Sequence, residues 1–271
     1  MIRNLRLAPA IIIFCSAIVL PCSGQNLTTQ ADLALGVQAY KRAEYQDAIA
    51  HFERSAAADP ANPVPHLCLA QAYAKQYRPS SETAENKQLA QRALDEFEKV
   101  LALHPSVDQQ KASLKGEASL YFKMKQFADA KESFRKLTIV DPDDAESYYS
   151  IAIIDWVESY AARMKKHSEL KLTPDARLTG EPCWEIRATN EERVKDGIAM
   201  LTKAIDLRPD YDDAMAYMNL MYRERADIQC GDAQAHDADM KTADKWVDLI
   251  MASKKAKSEA APELKRHPSE R

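Results

Sequence analysis

The chain has 271 residues, 46% hydrophobic and 29% charged, with a formal net charge of −4 and six glycines. This is enough apolar material for a good core, and so little glycine disfavours β-rich folds, which spend glycine and β-branched residues on turns and strands. A mildly acidic chain without a block of like charge gains nothing from phosphate backbones, so nucleic acid is set aside as a partner.

Residues 1–24 read as an export signal: Arg3 and Arg6 form the charged start, residues 7–20 an apolar run, and Cys22, Ser23 and Gly24 a small-residue cleavage site. Cleavage before Gln25 leaves 35 basic and 41 acidic side chains, net −6. The fourteen apolar-run residues, interrupted by Pro9, fall short of the roughly 20 that a spanning helix needs, so no transmembrane span is expected in the mature chain. The expected location is the periplasm or the exterior. A lipid anchor at Cys22 is the rival, weakened by Pro21 where a small residue is the norm.

From there the chain predicts helix pairs. Residues 29–62 form the first, with Leu35, Gly36 and Tyr40 on its first helix, Tyr45 opening the second and Asp59-Pro60 closing it. The second pair opens at Pro63 with Leu69, Ala70 and Tyr73 and carries an insertion near 76–86, where Arg78-Pro79-Ser80-Ser81 signals a loop. The third, residues 111–144, brings Leu114, Ala118, Tyr121, Phe127, Ala130 and Phe134 into register. The fourth opens with Tyr148, Ile151, Ala152 and Trp156 and is split by a larger insertion near 163–190. Its 171–190 part is expected to be mostly irregular, with Pro174, Gly180 and Pro182 breaking any helix. The fifth joins Ala214, Met218, Leu220, Met221 and Tyr222 to a capping helix near 233–255, with Cys230-Gly231-Asp232 at the turn. The helix pairs thus span 25–257, and residues 258–271 form a charged tail expected to be disordered.

One ruler fits four prolines. Ala48, Phe52 and Ser55 lie twelve, eight and five residues before Pro60; Ala93, Phe97 and Val100 stand likewise before Pro105, Ala130, Phe134 and Leu137 before Pro142, and Gly197, Leu201 and Ala204 before Pro209. A small residue four before a bulky one gives a helix face with a dent and a knob, against which a neighbouring helix packs closely. On these residues the chain resembles the tetratricopeptide repeat (TPR) family. The resemblance implies an all-α fold, an α-solenoid in which about five TPR-like helix pairs wind into a right-handed superhelix.

No phosphate loop, zinc-protease helix or paired-cysteine knuckle is present; His66 with Cys68, and Cys230 with His236, make weak metal pairs. No enzyme activity, cofactor or metal is expected. In the TPR family the first helices line a concave groove, and the residues left over from packing here include Leu33, Val37, Tyr40, Lys41, Leu67, Lys75, Lys115, Phe122, Lys123, Tyr149, Ile153, Trp156, Leu220 and Arg223. Rings with scattered cations suit a protein or peptide partner carrying acidic groups. Packing between repeats is an equal reading for Tyr149 and Trp156. The family's carboxylate grip does not carry over, because Lys115 is followed one turn on by Ser119 and not asparagine. The expected function is an exported scaffold for protein interaction; the alternative is an assembly factor of a cell-envelope complex, contacting partners by its insertion-bearing edge.

Turns between first and second helices share one edge of such a stack, which places Cys183 beside Cys230. In an oxidising compartment these two pair into a disulfide pinning the larger insertion, with Trp184 packed beneath it and Cys68 left as a buried thiol. Three thiols, none of them oxidised, remain the alternative.

Overall fold

The computed structural model describes residues 27–260, so the export signal, Cys22 and most of the tail lie outside the described residues. Ten helices and no strand occur among these: α1 (Leu27–Lys41), α2 (Tyr45–Ala58), α3 (Pro63–Gln76), α4 (Ala84–Ala102), α5 (Val107–Lys123), α6 (Phe127–Val140), α7 (Ala145–Glu169), α8 (Glu181–Leu207), α9 (Asp212–Asp227) and α10 (Ala233–Ala260). The chain divides within α6 into two compact units, one up to Ala130 and one from Lys131.

In the first unit the helix starts are written locally. Asn62 accepts from the Val64 N–H at 3.0 Å ahead of Pro63, and Thr83 caps α4. Ser106 and Gln109 close a reciprocal capping box on α5. The core runs continuously through α1 to α5 around Phe52, Phe97 and Leu120. Glycine marks two close approaches: a Cβ on Gly36 would meet the Phe52 ring at 2.5 Å, and one on Gly116 the Phe97 ring at 2.3 Å. The knobs of the sequence ruler therefore fill dents on the preceding or following first helix. The smaller insertion is mostly absorbed by a longer α4, leaving residues 77–83 as a loop tied down by buried Asn86, which bonds Arg78 N, Arg78 O and Ser81 O at 2.7 to 2.9 Å.

In the second unit α7 packs on α8 and α9 on α10, with α8 and α7 both against α9. Gly197 again permits close approach, its Cβ position lying 1.9 Å from Met221 Cε. All four registers of the ruler are buried, including Ala130, Phe134, Leu201 and Ala204.

The larger insertion departs from expectation. It is helical at both ends, α7 running to Glu169 and α8 starting at Glu181, which leaves only residues 170–180 outside helix. Pro182 starts α8 instead of breaking it, because its missing N–H falls in the first turn, where no intrahelical bond is lost. Arg163 and Glu224 form a buried two-bond ion pair at 2.9 and 2.7 Å, and His167 sets its ring nitrogens 2.8 Å from Arg163 O and 2.7 Å from Ala176 O. Cys183 and Cys230 are joined in a disulfide with Cα atoms 5.7 Å apart, inside an apolar cluster with Leu178, Ile186, Val194 and Ile228. Trp184 is not beneath it. The residue is 53% exposed with the Arg187 guanidinium 5.6 Å from its ring centre, because the helical turn aims it away from the cluster that Cys183 enters.

The last helix also outruns expectation, reaching Ala260. Its end is held by Ser253 on Asp212 at 2.6 Å and by Lys257 on the Asp210 carbonyl at 2.7 Å.

Candidate functional site

In the first unit, three of the expected lysines share one register. Lys41, Lys75 and Lys123 each stand in the last turn of a first helix, α1, α3 and α5, where a cation also complements the helix dipole. All three are exposed, and none enters an ion pair among the described residues. Crowding by protein atoms, with the like charge of Lys75 second, holds the Lys123 ammonium below the ordinary lysine range. The α3 and α5 helices pack directly, which is what brings these two cations near each other.

Other members of the expected set have different roles. Tyr40 is a core ring, 8% exposed and edge-on to Tyr45 at 5.4 Å, and Leu67 and Ile153 are likewise core residues. Tyr40 is taken up by the second helix of its own pair, and the first helices of neighbouring pairs also touch, α3 on α5 and α7 on α9, which consumes positions that seem left over when each pair is considered alone. Lys115 is half-buried, and Phe122 packs edge-on to Phe127 at 5.7 Å. Cys68 is buried in α3, and His66 turns to Glu96 at 2.6 Å, not to the cysteine.

In the second unit the expected Tyr149 and Trp156 belong to a longer ladder. Tyr149 meets Tyr211 at 4.9 Å and Tyr217 at 5.6 Å; Trp156 meets Tyr217 at 5.4 Å and stacks on Tyr160 at 5.2 Å. Arginines close both ends, Arg208 at 4.3 Å over Tyr211 and Arg163 at 5.5 Å over Tyr160. Tyr217 is buried, while Tyr149, Trp156, Tyr160 and Tyr211 keep part of their surface. Burial raises the phenols of Tyr149, Tyr211 and Tyr217, the last to about 12, and the Asp213 carboxylate adds to the rise at each. Arg223 is turned aside: it bonds Asp244 on α10 at 2.8 Å and Asn219 at 3.3 Å, so it serves the last helix pair.

Two features had no sequence signal. A cavity of about 420 Å³ opens between α2 and α4 over Tyr73, whose hydroxyl donates to Glu53 at 2.9 Å while Arg92 lies 5.7 Å from its ring centre. In the other unit Asp155 is wholly buried, with one carboxylate oxygen bonded to Lys131 and the other without a hydrogen-bond partner among the described residues. Among the described residues no three His, Cys, Asp or Glu side chains converge as a metal site, and no helix is long and apolar enough to cross a membrane.

No family model and no curated protein matches this sequence. Solved structures do match its backbone. MamA from Desulfovibrio magneticus RS-1 superposes with a TM-score of 0.56 at 17% identity, over 86% of this chain and 98% of that one. A further MamA crystal structure gives 0.56 at 14% identity, over 86% and 94%. YrrB, described as a TPR protein with an unusual peptide-binding site, gives 0.50 at 12% identity, over 86% and 100%. The fold is a TPR-type α-solenoid. At such identities the likeness carries the arrangement of TPR-like helix pairs and nothing of the bound partner.

Proposed function

We propose that this protein is an exported scaffold that binds protein segments on the faces of its TPR-like first helices, with the first unit taking an acidic peptide. The observation that carries this reading is the lysine register. Lys75 and Lys123 bring like charge together on packed helices with neither in an ion pair among the described residues, an arrangement that an incoming anionic side chain relieves. Lys41, in the equivalent turn of α1, extends the same charge along the face. The TPR-type fold and the peptide-binding description of YrrB agree with this use of the first helices. Export rests on residues 1–24 and agrees with the Cys183–Cys230 bond, a linkage that persists in oxidising compartments.

The test is titration of a synthetic glutamate-rich peptide onto the full chain. Replacing Lys75 and Lys123 together by glutamate should slow association, weaken binding at least about tenfold and flatten its salt dependence, with helicity intact. Unaltered binding by the double variant rejects the lysine face.

A second reading, contact through the insertion-bearing edge, is favoured by Trp184, a 53% exposed indole on an edge stiffened by the disulfide and the Arg163–Glu224 pair. Crosslinking in the native compartment separates the two: one dominant partner lost on Lys75/Lys123 reversal supports the face, whereas partners lost on Trp184→Ser support the edge.

A further inference from the structure

In the first unit α2 and α4 each pack on α3, and the space left between them is the cavity of about 420 Å³ over Tyr73. None of the three lysines of the first-helix face lines it. Tyr73, itself buried, makes the floor, while Ile49 and Glu53 face the space one turn apart from α2 and Leu89 and Arg92 one turn apart from α4. Each wall thus offers an apolar side chain beside a charged one, of opposite sign on the two sides. Both charges stand at one phenol: the Tyr73 hydroxyl donates to Glu53 at 2.9 Å, and the Arg92 guanidinium lies 5.7 Å from the ring centre. Burial first, then the bond to Glu53, raises the Tyr73 phenol against the pull of Arg92, so the hydroxyl remains a donor that holds the carboxylate in place. Yet Glu53 and Arg92 make no ion pair, with each other or with any other of the described residues.

We infer that this cavity binds a small zwitterion, an α-amino acid with an apolar side chain, its ammonium on Glu53, its carboxylate on Arg92 and its side chain over Ile49 and Leu89. Opposite charges left unjoined across a cleft are complementary to a ligand that carries both, and a ligand with one charge leaves the other wall unanswered. A guanidinium takes a carboxylate through two parallel hydrogen bonds, and Glu53 is already oriented by Tyr73, so less side-chain freedom is lost when the ammonium arrives. The volume argues for the same size of occupant. It lies near the lower end of the roughly 300 to 1,000 Å³ typical of ligand cavities, which suits a single amino acid and is too small for a helix of a partner protein.

The probe is L-leucine, titrated calorimetrically onto the full chain beside leucinamide, which lacks the carboxylate, and N-acetyl-leucine, which lacks the ammonium. Leucine should saturate the protein below about 10 mM, and each blocked form should bind at least about tenfold more weakly. Two substitutions then separate the ends of the ligand. Arg92→Gln should bring leucine down to the level of leucinamide while keeping its advantage over N-acetyl-leucine; Glu53→Gln should do the reverse. Both side chains are exposed, so neither change disturbs the core, and circular dichroism of the variants should match that of wild type. Apolar adsorption to the groove predicts equal binding of all three compounds and no effect of either substitution. Absence of saturation by about 10 mM, or any pattern other than the crossed one, overturns the proposal. Reversal of Lys75 and Lys123 leaves this readout unmoved, so the peptide face and the amino-acid site can each fail alone.

Discussion

Asp155 shows best how a single residue escapes sequence reasoning. It stands on α7 at a position where helical spacing calls for a buried side chain, and it is buried, but as a carboxylate. Desolvation pushes its pKa up to about 7 against the pull of Lys131, with Asp196 adding to the rise. The folded chain therefore holds this proton more tightly than the unfolded chain, whose value is near 3.8. Stability from this group is greatest below the unfolded value, falls as pH rises toward 7, and is constant above, at a cost on the order of a few kcal/mol. Asp155→Asn fixes the neutral form, and Lys131 keeps Asp196 at 3.5 Å. Melting followed from pH 5 to 8 should show wild type losing stability relative to Asp155→Asn; parallel curves would reject this account. The Arg163–Glu224 pair was equally hidden, since its partners are 61 residues apart and nothing local marks either as buried. Glycine was more legible. Gly36 was read within the first helix of its pair, and Gly36→Ala should cost about 1 to 2 kcal/mol in chemical denaturation, overpacking against Phe52 outweighing the roughly 1 kcal/mol gained in helix propensity.

At the scale of elements, helices that repeat the ruler could be read from the chain, and the departures have a common origin. A proline marks a helix boundary without saying on which side the helix lies: Pro60 closes a pair, whereas Pro182 begins α8. Reading Pro182 as a breaker made the larger insertion irregular, when most of it lengthens α7 and α8. The disulfide was placed by a topological argument independent of that error, since turns on one edge remain neighbours whether an insertion is helical or not. Because the bond closes a separation of 47 residues within the second unit, its loss should act locally. Hydrogen exchange on the reduced, alkylated protein should show faster exchange in residues 170–190, with α1 to α4 unchanged. Uniform acceleration would mean that the edge is not a separate cooperative element. Non-reducing peptide mapping gives the covalent answer: a linked pair containing Cys183 and Cys230 is expected, and alkylation of both without prior reduction would rule it out.

For the whole molecule, the comparisons explain why architecture was readable and partner was not. At 12 to 17% identity most of the sequence has no counterpart in the matched structures, yet helix pairs superpose over 86% of the chain. What suffices for the fold is a small set of buried positions, while the exposed lysines Lys41, Lys75 and Lys123 stand at positions the fold leaves unconstrained. It follows that tolerance to charge should depend on register and not on distance along the chain. Ala128 and Ala130 are two residues apart on α6, one exposed and the other wholly buried at the ruler's small position. In a solenoid each helix pair buries its apolar face only against its neighbours, so a defect at one small position weakens the contacts on which adjacent pairs depend. Ala130→Arg forces an unpaired guanidinium into that position and should cost at least about 3 kcal/mol, lowering the melting temperature by roughly 10 °C or broadening the transition. Ala128→Arg should stay within about 0.5 kcal/mol of wild type. Thermal unfolding followed by circular dichroism decides between them, and two superimposable melts would mean that the register does not carry the stacking.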